Sequence, residues 1–549
     1  MNRLYYGDNL EILRKEIKDE SVDLIYLDPP FNSKRDYNLL FKTPKGQESD
    51  AQITAFEDSW HWGPQAEREF FELQAQPNTD VAQMMQALRD FLGTNDMMAY
   101  LTMMANRLLE MQRVLKPTGS LYLHCDPTAS HYLKIVLDGV FGKENYRNEI
   151  SWLRSQPKSH TTVNFPNCRD IILRYAKSDE AKFFKVYGQH DPEYLENFYR
   201  YTDEDGRRYR LGDLTNPNKN RPNLTYEFMG ITRVWRWTKD RMEKALKDGL
   251  IVQSGSGAVP QMKRYLDQMG GQPVTDNWDD IEHLHGSNAE TLGYPTQKPL
   301  ALLERIIQVS SEEGDIVLDP FCGCGTAVHA AEKLKRRWIG IDITHLAISL
   351  IEKRMKKAFP YLEAVAPGSK KAMQAGPNAF EVIGVPHDLE AARDLAARDK
   401  HQFQLWAVSL VGAQPYKRGV KGSDKGIDGL IFPEVAKSKT EKIVVSVKGG
   451  ETVGAAMVRD LKGVLSREKA AIGLFVTLAP PTKEMVKEAA AAGMYESPHH
   501  GAFPKLQILT IEGLLSGKER AQYPDMAMGA QTFKHAKKEQ GSQQQKGLF

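Results

Sequence analysis

Two apolar runs that each stop at an aspartate followed by proline constrain this chain more than any other feature. The first is Leu24-Ile25-Tyr26-Leu27-Asp28-Pro29-Pro30-Phe31-Asn32, and the second is Val317-Leu318-Asp319-Pro320-Phe321-Cys322-Gly323-Cys324-Gly325-Thr326. Proline has no N–H for a sheet ladder and fixes φ, so each run must leave its strand at the acid. The carboxylates are thereby expected at carboxyl ends of strands, where open α/β sheets bind ligands. Strand and helix patterns alternate around both runs. Strands are expected at 4–6, 22–27, 120–124, 316–318 and 338–341, and helices near 9–18, 100–115, 300–311 and 326–334. Lys116-Pro117-Thr118-Gly119 reads as a turn before the 120–124 strand. The fold class is therefore α/β, built from helical crossovers between strands.

A chain of 549 residues exceeds one compact core, so several domains are expected. Its 73 Lys and Arg nearly cancel its 71 Asp and Glu, so any contact with a polyanion must come from local clusters. No apolar run is long enough to span a bilayer, and the start Met1-Asn2-Arg3-Leu4-Tyr5-Tyr6 lacks the pattern of a secretion signal. A cytoplasmic protein with no membrane partner is expected. Four scattered cysteines, Cys125, Cys168, Cys322 and Cys324, are too few to staple the chain and lack zinc-ligand spacing, so neither disulfides nor a metal site is expected there.

Texture divides the chain further. Residues 1–154 carry the first motif and 286–365 the second, while 155–285, rich in aromatic, Arg, Asn and Gly residues, reads as an insertion. The stretch 366–385, rich in Ala, Pro, Gly and Lys, reads as a linker, 386–516 as a second α/β unit, and the Lys- and Gln-rich 517–549 as a disordered tail.

The residue types suggest chemistry. Glycines after Asp319 let backbone approach a ligand, Asp319 can take a cation, and a helix N-terminus favours a carboxylate. Asp342, ending the next strand, stands where ribose hydroxyls are held in nucleotide-binding units. Asp28 and the Pro29 carbonyl can accept hydrogen bonds from an exocyclic amine, whose delocalised lone pair is otherwise a poor nucleophile. Such a base must leave its duplex to react, and Phe31 offers a stacking face.

Together, the Asp28-Pro29-Pro30-Phe31 and Asp319-Pro320-Phe321-Cys322-Gly323-Cys324-Gly325 motifs strongly resemble those of the DNA amino-methyltransferase family. The resemblance covers roughly residues 1–360 and implies a Rossmann-like fold using S-adenosylmethionine, with Asp28, Pro29, Pro30 and Phe31 catalytic and Asp319, Phe321, Gly323 and Gly325 binding the cofactor. The motif order resembles the family's β group, in which a target-recognition segment lies between them. Tyr294-Pro295-Thr296-Gln297-Lys298-Pro299 resembles the family's tenth motif, which assigns Thr296 and Lys298 to the methionine end. Gly7-Asp8 resembles the motif whose acid contacts the cofactor's adenine. Aspartate first in the catalytic motif implies adenine N6 in duplex DNA as the target, with N4 of cytosine as the alternative. No Pro-Cys pair occurs, which sets aside carbon-5 chemistry.

Candidate DNA contacts are Lys34, Arg35 and Tyr37 beside the catalytic turn, and Arg208, Arg210, Arg233 and Arg236 in the insertion, where cations interleave with aromatics. Solvated loops with a few core aromatics explain the insertion equally well. His124-Cys125-Asp126 reads as a capped strand end, and His499-His500 as loop histidines.

Residues 402–516 resemble restriction-endonuclease-like domains of the Mrr-like branch. Helices are expected at 402–410 and 458–468, a strand or hairpin at 427–432, and strands at 442–448 and 473–477. The resemblance implies that Asp428 and Lys448 belong to a Mg²⁺-dependent cleavage site, but Ser446 stands where an acid or Gln is expected, and a hydroxyl is a poor Mg²⁺ ligand. Mg²⁺ is therefore expected only if this unit cleaves; the other reading is a DNA-clamping or structural remnant. Three rivals to an adenine methyltransferase stay open: a cytosine enzyme, a fused restriction-modification enzyme and a binding protein with a dead cofactor site. A homodimer is also left open.

Overall fold

The computed structural model describes residues 1–30, 35–42, 48–58, 62–157, 165–188, 190–285, 288, 290–292, 297–367, 369, 378–416, 426–431, 434–436, 439–497 and 501–524. For 35–42, 48–58, 346, 414–415, 434–436 and 439–440 it describes the backbone alone.

Ten strands among these residues form one sheet, in the order Asn277–Trp278, Tyr146–Leu153, Arg169–Ala176, Leu115–Cys125, Val22–Leu27, Ile316–Asp319, Arg337–Asp342, Asn2–Tyr6, Ala379–Ile383 and Glu363–Val365. Every pairing is parallel except the two made by Arg169–Ala176. Parallel strands covered on both faces should be apolar throughout. Val22–Leu27 is buried along its whole length. Its one charge, Asp23, binds Lys116 Nζ at 2.8 Å and accepts from the Ile316 amide at 2.9 Å, stitching three central strands together.

The centre of the sheet is a topological switch point. From Val22–Leu27 the chain proceeds to Leu115–Cys125 on one side, whereas from Ile316–Asp319 it proceeds to Arg337–Asp342 on the other. Right-handed crossovers running in opposite directions leave a crevice between the two strand ends. Register pairs Leu24 with Val317 and Ile25 with Leu318, so Asp28 and Asp319 leave neighbouring strands at the same edge.

Most of the expected elements are present, with several differences. Strands Arg169–Ala176 and Asn277–Trp278, within the 155–285 stretch read as an insertion, belong to the main sheet. Lys116-Pro117-Thr118-Gly119 is not a turn between elements; it lies within Leu115–Cys125, where the register slips between Val22–Leu115 and Leu24–Ser120 and the extra residues are taken up as an irregularity. Helices Pro64–Gln74 and Thr79–Leu92 were not anticipated. Ala379–Ile383, in the stretch read as a linker, pairs with Asn2–Tyr6 because its alternate residues are apolar enough to extend the sheet. Residues 517–524, read as part of the tail, are tied to the last strand: Gln522 N donates to Gln507 Oε1 at 2.8 Å, and Glu519 Oε2 accepts from Thr510 Oγ1 at 3.1 Å.

Lys185–Thr275 forms a separate compact unit. It holds the four-stranded sheet Ile251–Val252, Gln261–Tyr265, Arg208–Asp213 and Tyr201–Thr202, and the hairpin Thr225–Phe228/Ile231–Val234. A small core of Leu214, Phe228, Trp235, Met242, Ala245 and Ile251 supports it. In the C-terminal region, strands Gln414–Pro415, Gly429–Ile431, Ile443–Lys448, Ile472–Thr477 and Leu506–Thr510 form a mixed five-stranded sheet with helices Ala455–Glu468 and Lys483–Ala490. No helix among the described residues is long and apolar enough to cross a membrane.

Candidate active site

The switch-point crevice opens into a cavity of about 930 Å³ lined by Asp8, Tyr26, Asp28, Pro29, Pro30 and Lys298, and by the whole turn from Asp319 to Cys324. This is near the upper end of the range for small-molecule sites.

At its floor, Lys298 Nζ lies 2.6 Å from Asp28 Oδ2. Asp28 Oδ1 is buried and has no hydrogen-bond partner among the described residues. Burying an unsatisfied carboxylate oxygen costs on the order of 1–3 kcal/mol or more, so such an atom calls for an explanation. One strand over, Asp319 is buried, and its Oδ1 accepts from the Phe321 amide at 3.1 Å. Burial first, and then the fields of Asp28 and Asp342, push its carboxyl well above the usual range, while the Phe321 amide and, less strongly, Lys298 oppose this. A cationic ligand would relieve that penalty.

The glycine turn is built for close approach. Gly323 and Gly325 have φ of +48° and +75°, in the left-handed region that other residues rarely adopt. Gly325 N-caps the helix Thr326–Lys333. Buried Arg354 fastens the turn from behind, donating to the Cys324 carbonyl at 3.0 Å and to Thr326 Oγ1 at 3.2 Å. Asp342 Oδ2 accepts from the Gly323 amide at 2.9 Å, and Oδ1 from the Thr344 amide and hydroxyl at 2.8 Å. Its carboxylate thus organises the turn as well as lining the cavity.

Asp8 N-caps the helix Asn9–Glu16, accepting from the Leu10 amide at 2.9 Å, and its Oδ2 meets Arg107 Nη2 at 3.0 Å. Arg107 also donates to Asn9 Oδ1 at 2.6 Å, and Asn9 Nδ2 donates to the Pro320 carbonyl at 2.8 Å. Neither Arg107 nor Asn9 was singled out in the sequence. A lone guanidinium on the apolar stretch Leu101–Met111 was the available signal. Behind Asp28, a buried chain runs from Tyr26 Oη to His124 Nδ1 at 3.1 Å and from His124 Nε2 to Asp170 Oδ2 at 3.1 Å. His124 therefore partners Asp170 rather than Asp126, which caps the following turn through the Thr128 and Ala129 amides.

Pro29, Pro30, Phe321 and Lys298 all line this cavity. Phe31, Lys34, Thr296 and His499-His500 lie outside the described residues, as do the side chains of Arg35 and Tyr37. In the separate unit the four expected arginines differ in their engagements. Arg208 donates to the Tyr199 and Leu195 carbonyls, and Arg236 Nε to the Thr215 carbonyl at 2.9 Å. Arg210 is half-buried against Tyr199. Arg233 is exposed and lines a concavity of about 600 Å³ with Asn216 and Lys219. Trp235 is fully buried, so this aromatic belongs to the core.

In the C-terminal sheet, Asp428 Oδ2 accepts from the Val447 amide at 2.7 Å and lies 3.5 Å from Ser446 Oγ. Lys448 is half-buried at the end of the same strand. Among the described residues no group of three or more His, Cys, Asp or Glu could hold a metal ion.

A family model described as DNA methylase matches residues 22–353, more than half of the chain, and one described as restriction endonuclease matches 395–495. The Type II methyltransferase M.EcaI of Enterobacter cloacae is 33% identical over 260 residues, 47% of this chain and 57% of that protein. The StyLTI Mod subunit of a Type III restriction-modification enzyme of Salmonella typhimurium is 26% identical over 353 residues, 61% of this chain and 50% of that protein. The chain thus spans about half the length of these curated relatives. Among solved structures, the M1.HpyAVI–SAM complex is 16% identical with a TM-score of 0.30, covering 65% of this chain and 99% of that one. The PvuII DNA methyltransferase (cytosine-N4-specific) is 13% identical with a TM-score of 0.31, covering 69% and 95%. Overlap at that level adds nothing to the account of this fold.

Proposed function

This chain belongs to the DNA methylase family, and from that premise we propose that it transfers a methyl group from S-adenosylmethionine to the N6 amine of adenine in duplex DNA. The observation that carries the reading is Asp28 Oδ1, a buried acceptor with no hydrogen-bond partner among the described residues, on a residue lining a cavity shared with Asp319. When bound, the cofactor supplies an electrophilic methyl on a sulfonium. Asp319 is suited to its ammonium, the N-terminus of the helix Thr326–Lys333 to its carboxylate and Asp342 to its ribose hydroxyls.

Lys298 engages Asp28 Oδ2, which leaves Oδ1 to accept from the target amine. That hydrogen bond, with a second to the Pro29 carbonyl, favours the tetrahedral nitrogen that forms as the lone pair leaves conjugation. As the N–C bond forms, the bond between the methyl and the sulfur breaks and would leave a neutral thioether; the amine must lose a proton, and Asp28 is its proposed first acceptor. The buried Tyr26–His124–Asp170 chain braces the strand from which Asp28 emerges. The exposed Arg233 and Lys219 in the separate unit are suited to DNA phosphates.

Incubating unmethylated plasmid with the protein and S-adenosylmethionine, then hydrolysing it to nucleosides for mass spectrometry, tests this directly. N6-methyladenine is the expected product. N4-methylcytosine would move the target to the other base, and no methylated nucleoside would overturn the reading.

A further inference from the structure

The cavity that holds Asp28 and Asp319 is not enclosed by the methylase-matching region alone. Its lining also includes Leu395, Arg398, Asp399, His401, Gln402 and Leu405, all within the span that matches a restriction endonuclease. These residues flank the junction of helices Leu389–Arg398 and Lys400–Leu410. The bend is fixed: Asp399 takes the Leu395 carbonyl on its amide at 2.8 Å and caps the second helix by accepting from the His401 and Gln402 amides at 3.0 Å.

The junction is fastened to the cofactor side of the sheet. Tyr6, which ends the first strand opposite Asp342, donates from Oη to Gln402 Oε1 at 3.3 Å. Gly384 lies so near Tyr6 that a Cβ there would sit 2.3 Å from its carbonyl oxygen, so only glycine permits this approach. The cavity's lining is chemically mixed. Asp28, Lys298 and Asp319 bring the fixed charges that suit a sulfonium and an amino acid group. Asp8, Asp342, Ile343, Leu395, Leu405 and Gln402 also line it, and Tyr6 bridges Asp342 and Gln402; this mixture of apolar surface and amide suits a neutral heteroaromatic ring and its sugar. Ile343 is 58% exposed although apolar, and directly follows Asp342.

We propose that the endonuclease-like unit supplies part of the cofactor site, with Gln402 and Arg398 binding the adenosine end of S-adenosylmethionine opposite Asp8 and Asp342. This rests on the cofactor reading above and extends it to a region that the methylase match does not include. Binding and docking of the helix pair are then reciprocally linked: ligand holds the pair in place, and a displaced pair weakens ligand. The two units share one small molecule, whether or not the second cuts DNA.

The test uses the full chain and S-adenosylhomocysteine, the demethylated product, in titration calorimetry. The double variant Arg398→Ala/Gln402→Ala is expected to bind about tenfold more weakly, as loss of one to two hydrogen bonds does. Hydrogen exchange of residues 389–410 in the unmodified chain is expected to slow when the ligand is added. Unchanged affinity in a folded double variant overturns the proposal. Should that variant fail to fold, unchanged exchange in the unmodified chain does so instead. Asp319→Ala separates the two readings: if it loses binding while the double variant does not, the wall assignment falls and the cofactor reading stands, whereas normal binding by Asp319→Ala sinks the cofactor reading itself.

Discussion

Asp28 and Asp428 are both aspartates that sequence motifs mark for chemistry, yet the structure engages them differently. Asp28 pairs one oxygen with Lys298 and leaves the other buried without a hydrogen-bond partner among the described residues, in the wall of a large cavity. Asp428 accepts from the Val447 amide and has Ser446 Oγ nearby, both on the strand beside its own. A buried acceptor of the first kind carries an energetic cost that a donor on a ligand would relieve, whereas Asp428 ties itself to the neighbouring strand through the Val447 amide. The unmet acceptor lining the cavity singles out Asp28 as the first of the two acids to substitute.

Substitution of Asp28 should sharpen this contrast most. Asp28→Ala is expected to lower the methylation rate at least about a hundredfold, as removal of one preorganised polar partner commonly does. Cofactor affinity should hold within a few fold, measured by calorimetry beside a turnover assay. Near-normal turnover would break the comparison.

Asp319→Ala should act on binding instead, weakening S-adenosylmethionine by about thirtyfold or more, the usual result of removing one partner of a buried charge pair. The pH dependence follows from the raised pKa of Asp319. At any pH where this carboxyl carries a proton in the free protein, a cationic ligand must displace that proton to bind. Affinity should therefore weaken as pH falls through the raised value, beginning above the ordinary carboxylate range near 4. Proton release on binding, read by calorimetry in buffers of different ionisation heat, checks the sign; uptake would contradict it.

A smaller effect is expected from Arg233→Ala. Loss of one phosphate contact should weaken DNA binding roughly fivefold at physiological salt and make the slope of log K against log salt shallower by about 0.9. Arg236→Ala, whose guanidinium is engaged by a backbone carbonyl, should leave that slope unchanged.

The smallest effect belongs to Asp428→Ala. It should change neither methylation nor the integrity of plasmid incubated with Mg²⁺, and should lower stability by about 1 kcal/mol through the lost bond to Val447. Plasmid cut by the unmodified chain and left intact by the variant would reverse the contrast between the two aspartates.

Strand ends were legible in the sequence because proline after an acid leaves the chain few options, and Asp28 and Asp319 do emerge on neighbouring strands. Pairings between distant segments were not legible. Nothing local says that Ala379–Ile383 will align with Asn2–Tyr6, or that Lys298 will meet Asp28 across 270 residues. Arg107 looks like the polar face of a helix until Asp8 and Asn9 are seen to surround it. In the insertion, spacing alone could not separate Trp235, which fills a core, from Arg233, which faces outward.

The most direct test of the central claim is single-molecule sequencing of DNA from cells expressing either the unmodified chain or Asp28→Ala. N6-methyladenine at one recurring sequence with the former, and its absence with the latter, is the predicted result. Equal methylation with both chains would contradict the role of Asp28, and N4-methylcytosine in place of N6-methyladenine would contradict the choice of base.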